Sequence, residues 1–480
     1  MSSVIIYNSG STQKPLSVAV TVAAEAIKNG PDVTLLDIED FTYIHQGLPP
    51  AWFARLVGQR VYPDNFRKYL QNLGVKWEKL PRPKKSNQMP QVPERVLEEL
   101  EDALKSDLFT YLRTDRLDDY PWFSRFTGRQ IRKASLPLYN ELVSYFIEKA
   151  RPTVYIPNGR VAHQRLAILA AEAAGCVVKF YEIGRALPQS AYIGNCQIHD
   201  REATQEEARE LAEQTDQDSQ KKVAEEWLVN RMAPGSSINP FSRVWHENTT
   251  TSNGATNSNE RLNAVIFTSS ADEFSSYGSK WATQTWKDQF EAFTSILKVL
   301  EQQGVNCTLR VHPNLVNKGR KYIARELSKI RELQIAFPSL RVIGHRDAVN
   351  SYDLVKKSDY IFVGRSTLGL EASLLGKSVW TTTPARYDEI ADVRRLHDPS
   401  DVSDKYIRPW NVDPSGAQAF VAYWVSQDVP FVAGDSEWCD WNLSRPPFTI
   451  RLGNLLLPNA PLHSLHLLLH EIKVGLRQAR

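Results

Sequence analysis

The chain has 480 residues, too many for one hydrophobic core, so two or three domains are expected. With 42% hydrophobic residues and a formal net charge of only +3, the composition excludes wholesale disorder and argues against a broad nucleic-acid surface. Cys176, Cys196, Cys307 and Cys439 show neither metal-ligand nor disulfide spacing, which fits a reducing cytosol.

Ser3 to Gly10 is an apolar run ending in Asn8-Ser9-Gly10, without the basic start of a signal peptide. A helical pattern over Leu16 to Lys28 and a strand over Val33 to Ile38 follow, a β-α-β opening that implies a parallel sheet. From about 41 to 150 the pattern turns helical and aromatic, with Trp52, Trp77 and Trp122, and reads as an insertion. A second β-α-β unit starts at Thr153-Val-Tyr-Ile-Pro-Asn-Gly-Arg160, continues as a helix from Ala162 to Ala174, and ends in a strand from Cys176 to Glu182. Thr204 to Val229 reads as a solvated, charged helix. Residues 233–263 shift to Gly, Ser, Asn, Thr and Pro, which marks a linker and closes a first domain at 232.

Strands at Ala264 to Ser270, Cys307 to Val311, Leu340 to Ile343 and Tyr360 to Val363 then alternate with helices, giving a second domain over 264–425. The expected fold is therefore α/β, two Rossmann-like domains facing a cleft. Residues 426–480 are expected to pack back on the body. Their last helical stretch, Leu462 to Arg480, suits a docked terminal helix or a membrane-surface helix with Lys473, Arg477 and Arg480 at its basic end. Its His463, His466 and His470 lack a carboxylate that would make a metal site, and no metal is expected anywhere, including at Asp115, Asp118 and Asp119. No stretch is long and apolar enough to span a bilayer, so a cytoplasmic location is expected, and the Asn248-Thr-Thr sequon carries no weight.

Loops leaving parallel strands emerge on one side of a sheet, so three loops of the second half should meet at one edge. They are Thr268-Ser-Ser-Ala-Asp-Glu-Phe274, Arg310-Val-His-Pro-Asn314 and the turn holding Ser366 and Thr367. Ser366 and Thr367 open a short helix, where backbone N–H groups and the helix dipole favour phosphate, and Glu371 is placed to reach a ribose hydroxyl. The same residues suit an ordinary capped helix. His312, held extended by Pro313, fits a phosphate ligand or general acid, and equally a strand-end histidine bonded to backbone. Asp272 or Glu273 is the local base for an attacking hydroxyl, or a helix cap. Arg310 is a further cation for the phosphate. From the first half, Asn158-Gly-Arg160 and Glu182-Ile-Gly-Arg185 face the same cleft. There Glu182 is a nucleophile or base and Arg160 and Arg185 hold an acidic sugar, unless Arg160 and Glu182 form a structural ion pair.

Arg310-Val-His-Pro-Asn314 and Gly364-Arg-Ser-Thr-Leu-Gly-Leu-Glu-Ala-Ser-Leu-Leu-Gly-Lys377 resemble motifs of bacterial capsule- and surface-polysaccharide glycosyltransferases with two Rossmann-like domains, the GT-B arrangement. In that group and in related sialyl- and Kdo-transferases, a His-Pro pair and a Ser/Thr pair bind the nucleotide monophosphate of a CMP-activated acid sugar. The resemblance implies His312 with Pro313, and Ser366 with Thr367, as donor ligands beside Arg310 and Asn314. Asp272-Glu273 resembles the acidic motif of sialyltransferases only loosely, since Phe274 stands where glycine is expected. Implied are a nucleotide-sugar donor such as CMP-Kdo, a glycan or glycolipid acceptor, no cofactor or metal, and peripheral contact with the inner membrane face. A UDP- or GDP-sugar enzyme (transferase or epimerase) and a non-catalytic partner in polysaccharide assembly are the alternatives.

Overall fold

The computed structural model describes residues 3–8, 13–28, 32–38, 64–80, 91–112, 114–233, 261–271, 275, 277 and 285–432. The first half runs β1 (Val4–Asn8), α1 (Gln13–Lys28), β2 (Val33–Asp37), α2 (Asp64–Asn72) and β3 (Lys76–Lys79), then α3 (Glu94–Leu112) and α4 (Pro121–Glu148). It continues with β4 (Thr153–Pro157), α5 (Ala162–Ala173), β5 (Val177–Ile183), β6 (Ser190–Gly194), α6 (Arg201–Gln214) and α7 (Gln217–Met232). The second half holds β7 (Asn263–Phe267), α8 (Gln289–Gln302), β8 (Asn306–Arg310), α9 (Arg320–Ala336), β9 (Arg341–Ile343) and α10 (Ser351–Lys357). Then come β10 (Tyr360–Val363), α11 (Thr367–Leu374), β11 (Ser378–Thr381), β12 (Arg394–Arg395), α12 (Ser415–Ser426) and β13 (Asp428–Pro430).

The two sheets are wound alike. Strand order is β3-β2-β1-β4-β5-β6-β13 in the first and β9-β8-β7-β10-β11-β12 in the second. All neighbours pair parallel except β5 with β6 and β6 with β13. Each sheet starts in its middle, winds outward to one edge, returns, and winds to the other. The switch points fall between β1 and β4 and between β7 and β10, and in such sheets ligands bind beyond the carboxyl ends of the strands there. Helices cover both faces, so inner strands are buried throughout: every residue of β2, β10 and β11 is buried, including Thr34, Asp37, Ser378 and Thr381.

Two features differ from the sequence reading. The stretch expected to be a helical insertion contributes β3 to the sheet, beside β2. Its Lys-Trp-Glu-Lys sequence suits an exposed edge, where charge guards against further pairing, and lacks an apolar run that would announce a strand. The expected solvated helix is two helices divided at Asp216, whose side chain accepts from Ser219 N and caps the second. They are not solvated on all sides, because Ala208, Ala224 and Trp227 are buried with Phe420, Val421 and Trp424 of α12.

After the second sheet the chain crosses back. α12 lies on α6 and α7, and β13 adds an antiparallel edge to β6 of the first sheet. Residues 234–260, covering most of the expected linker, and 433–480, with the terminal histidines, lie outside the described residues.

The lobes are clasped on two flanks. On one, Arg325 of α9 is held by Asp115 and by Asp119, the latter at 3.2 Å, and Lys321 Nζ donates to the Asp119 carbonyl at 2.7 Å. On the other, Arg201 of α6 reaches Asp388 at 3.2 Å and Glu389 at 2.9 Å, and Gln205 Nε2 donates to Asp388 at 3.1 Å.

Candidate functional site

At the switch point of the second sheet the expected loops meet. Thr268 and Ser269 follow β7; the Thr268 hydroxyl accepts from His312 N at 2.8 Å, joining that loop to the one after β8. On its other side Ser269 touches Gly364, where a Cβ would collide with the Ser269 hydroxyl. The first glycine of the Gly364 motif thus permits close approach of two strand-end loops. Ser269 Oγ is buried and has no hydrogen-bond partner among the described residues, a hydroxyl at the place where a ligand is expected.

Ser366 caps α11, its hydroxyl accepting from Leu368 N at 3.2 Å. Gly369 leaves room for Tyr387, whose hydroxyl donates to the Ser366 carbonyl at 2.6 Å and fixes the turn. His312 caps the short 3-10 turn Pro313–Asn317: its Nδ1 accepts from Asn314 N at 3.1 Å. Nδ1 therefore carries no proton, and Nε2–H is the donor the ring can offer.

Across the cleft, Asn158 (φ 53°) and Gly159 (φ 84°) make a left-handed turn after β4, which asparagine and glycine adopt at low cost. Asn158 Nδ2 donates to Glu182 at 2.6 Å and lies 3.3 Å from His199 Nε2. Arg386, from the loop after β11 of the opposite lobe, donates to His199 Nδ1 at 2.7 Å. A guanidinium can only donate, so this histidine is neutral with its proton on Nε2, and the Asn158 Nδ2 contact with that nitrogen is not a hydrogen bond. Burial, reinforced by Arg386, Arg185 and Arg160, drives its pKa well below the usual histidine range. Tyr277 stacks on His199 with centroids 4.0 Å apart, and Arg160 lies 5.3 Å from the Tyr277 ring centroid.

The electrostatics of this seam are one-sided. Arg386 is pushed down to about 9, by burial first and then by Arg185. Arg365 is likewise pushed down to about 9 by burial, with Arg395 adding repulsion. These shifts do not discharge an arginine at neutral pH. They express several guanidinium groups desolvated close together at the seam between the lobes. Nearby, Asp107 of α3 accepts from Ala162 N at 2.9 Å and caps α5, and burial raises its pKa to about 7.

Several predicted site residues fall elsewhere. Arg310 is 1% exposed, and its guanidinium donates to the carbonyls of Gly344, Asp347 and Val349; it ties β8 to the loop after β9 and is not turned to a phosphate. Glu371 is buried against Arg231 of α7, with Tyr352 beside it, so it is an internal ion-pair member rather than a ribose ligand. Thr367 Oγ1 accepts from the same Arg231 at 3.0 Å, and Asn314 is buried within its turn. Asp272 and Glu273 lie outside the described residues. His312, Pro313, Ser366, Arg160, Arg185 and Glu182 lie at or just beyond the carboxyl ends of β8, β10, β4 and β5. Sequence reading missed Arg386 and His199. Arg386 also follows a parallel strand, so the strand-end rule applied to β11 would have found it; His199, after an antiparallel strand, gave no such signal.

Among the described residues, no cluster of His, Cys, Asp or Glu is arranged to hold a metal ion. Nor is any described helix long and apolar enough to cross a membrane.

No protein-family model matches this chain, and no curated protein does. Among solved structures it is similar to a β-Kdo 2,4 transferase, KpsC, of Thermosulfurimonas dismutans, at 18% identity over 56% of this chain and 78% of that one, with a TM-score of 0.35. It is also similar to UDP-GlcNAc 2-epimerase of Neisseria meningitidis bound to UDP-GlcNAc, at 10% identity over 89% and 99% of the two chains, TM-score 0.29. MurG of Acinetobacter baumannii matches at 10% identity over 93% and 100%, TM-score 0.28. Scores this far below 0.5 carry nothing over to this chain beyond the similarity itself.

Proposed function

We propose that this chain is a glycosyltransferase that takes a nucleotide-activated sugar into the cleft between its two sheets and stabilises the departing phosphate with protein donors. The observation that carries this reading is the crowding of Arg160, Arg185 and Arg386 around neutral His199, with Arg365 close to Tyr277, at the carboxyl edges of two similarly wound sheets. When the anomeric C–O bond breaks, its electrons stay on the nucleotide phosphate. Preorganised donors aimed at that charge lower the barrier. On the second-lobe side the groups assigned to this charge are His312 Nε2–H, the amides opening α11, the Ser269 hydroxyl and Arg365. The acceptor hydroxyl attacks the anomeric carbon and loses its proton to a base, for which Glu182, Asp272 and Glu273 are the candidates.

Cations from both lobes suit a donor that is anionic at both ends, with phosphate toward the second lobe and a carboxylate toward Arg160 and Arg185. That supports a CMP-linked acid sugar such as Kdo, transferred to a glycan or glycolipid of the cell surface without a metal. The test is thermal shift and calorimetry with CMP, UDP and GDP, followed by hydrolysis of CMP-Kdo. CMP is expected to stabilise the chain, and His312→Ala and Ser366→Ala to weaken that effect without unfolding it. Stabilisation by UDP alone would move the reading to a UDP-sugar enzyme, and donor hydrolysis equally absent from wild type and His312→Ala would favour a non-catalytic role.

A further inference from the structure

The first half of α4 carries a surface that the cleft does not use. From Pro121 to Asn140 the sequence has Arg125, Arg129, Arg132 and Lys133 and no acidic residue. Trp122 is 73% exposed and Phe126 43%, and their rings stack with centroids 5.5 Å apart and planes 4° apart. A tryptophan left so open is unusual in a soluble protein. At 3.6 residues per turn, positions 122, 126, 129 and 133 fall on one stripe roughly 60° wide. The ring pair is thus continued along the helix by Arg129 and Lys133, with Arg125 beside it. Arg132, on the flank, pairs with Glu101, while Arg125, Arg129 and Lys133 are exposed.

The second lobe extends the patch. Lys321 of α9 lies 4.9 Å from the Tyr120 ring, immediately before α4, and Arg320 next to it is exposed. The start of α9 is at the same sheet edge as the His312 loop.

We infer that this face seats the protein on an anionic phospholipid surface. Trp122 and Phe126 enter the boundary between headgroups and acyl chains, and Arg125, Arg129, Lys133 and Lys321 meet lipid phosphates. Charge decides between occupants. A stable protein interface needs a wider apolar centre depleted of charge, whereas one ring pair bordered by cations is the composition of an interfacial membrane anchor. Membrane contact at α4 is independent of the sugar-transfer reading and lies apart from the C-terminal stretch, for which the sequence left both a docked terminal helix and a membrane-surface helix open.

The test is co-sedimentation of the full chain with phosphatidylcholine vesicles, with and without phosphatidylglycerol, at low and high salt. Binding is expected only with phosphatidylglycerol, weakening as salt rises. Trp122→Ala with Phe126→Ala should cost roughly tenfold or more in partitioning. Arg129→Ala and Lys133→Ala should each cost about fivefold. In wild type, acyl chains brominated near the headgroup should quench tryptophan fluorescence. With Trp122→Phe, binding should persist while that quenching falls. All these side chains are exposed, so the variants should melt like wild type. No binding to anionic vesicles, binding indifferent to both pairs of substitutions, or binding to nucleic acid in place of vesicles would overturn the inference.

Discussion

Replacing Arg231 tests whether Glu371 serves the fold or the ligand. Its side chain is 10% exposed and that of Glu371 3%, so the pair is desolvated. Arg231 also donates to Thr367 Oγ1 and lies 5.2 Å from the Trp227 ring centroid, joining α7 to α11. Arg231→Met keeps the aliphatic packing but strands a buried carboxylate, which costs about 3–5 kcal/mol. Losing the Thr367 bond adds about 1 kcal/mol, partly offset because Tyr352 still bonds Glu371. A net loss of about 3–4 kcal/mol is expected in urea unfolding. Adding Glu371→Leu removes the stranded charge and should restore about 2–3 kcal/mol, a coupling that independent sites would not show. Nucleotide affinity should be largely retained in the double variant. A Glu371→Gln chain of unchanged stability that fails to bind nucleotide would refute this reasoning.

Three further outcomes are expected. Burial, with Asp115 adding repulsion, raises the Glu326 carboxyl to about 8 from the ordinary 4.5, so the native chain keeps a proton that the unfolded chain releases. Stability from this group is complete below pH ~4.5 and declines through about pH 8; Glu326→Gln should leave the melting temperature unchanged near pH 4 and raise it near pH 9, and parallel pH profiles would contradict this. Arg386→Met should weaken nucleotide or donor binding by about 10- to 100-fold, as loss of a charge-assisted hydrogen bond does, read by calorimetry; unchanged affinity would remove Arg386 from the site. Gly369→Ala should cost about 1–3 kcal/mol, because its Cβ would strike the Tyr387 hydroxyl that holds the Ser366 carbonyl; an unaltered melt would contradict that contact.

The regular parts of the fold were legible because buried parallel strands read as short apolar runs. Val33–Asp37, Tyr360–Val363 and Ser378–Thr381 are buried throughout and stand out in the sequence. Edge strands did not stand out. Lys76–Lys79 is charged at three of its four positions, and Asp428–Pro430 is too short to carry a period, so neither the winding of the first sheet nor its closure by the C-terminal crossing was visible. In the site, strand-end logic brought His312 and Ser366 to one edge but could not tell which polar side chains turn inward. Arg310 and Glu371 have residue types suited to a ligand, yet their partners (three carbonyls and Arg231) come from segments distant in sequence. His199 with Arg386 was hidden for the same reason, since its chemistry exists only once the two lobes meet.

The crystal structure of this chain with CMP bound tests the central claim most directly. The phosphate should lie within hydrogen-bond reach of His312 Nε2 and the first amides of α11, with Arg365 or Arg386 closing over it. A nucleotide held away from the carboxyl edge of the second sheet, touching neither His312 nor the Ser366 turn, would contradict the account.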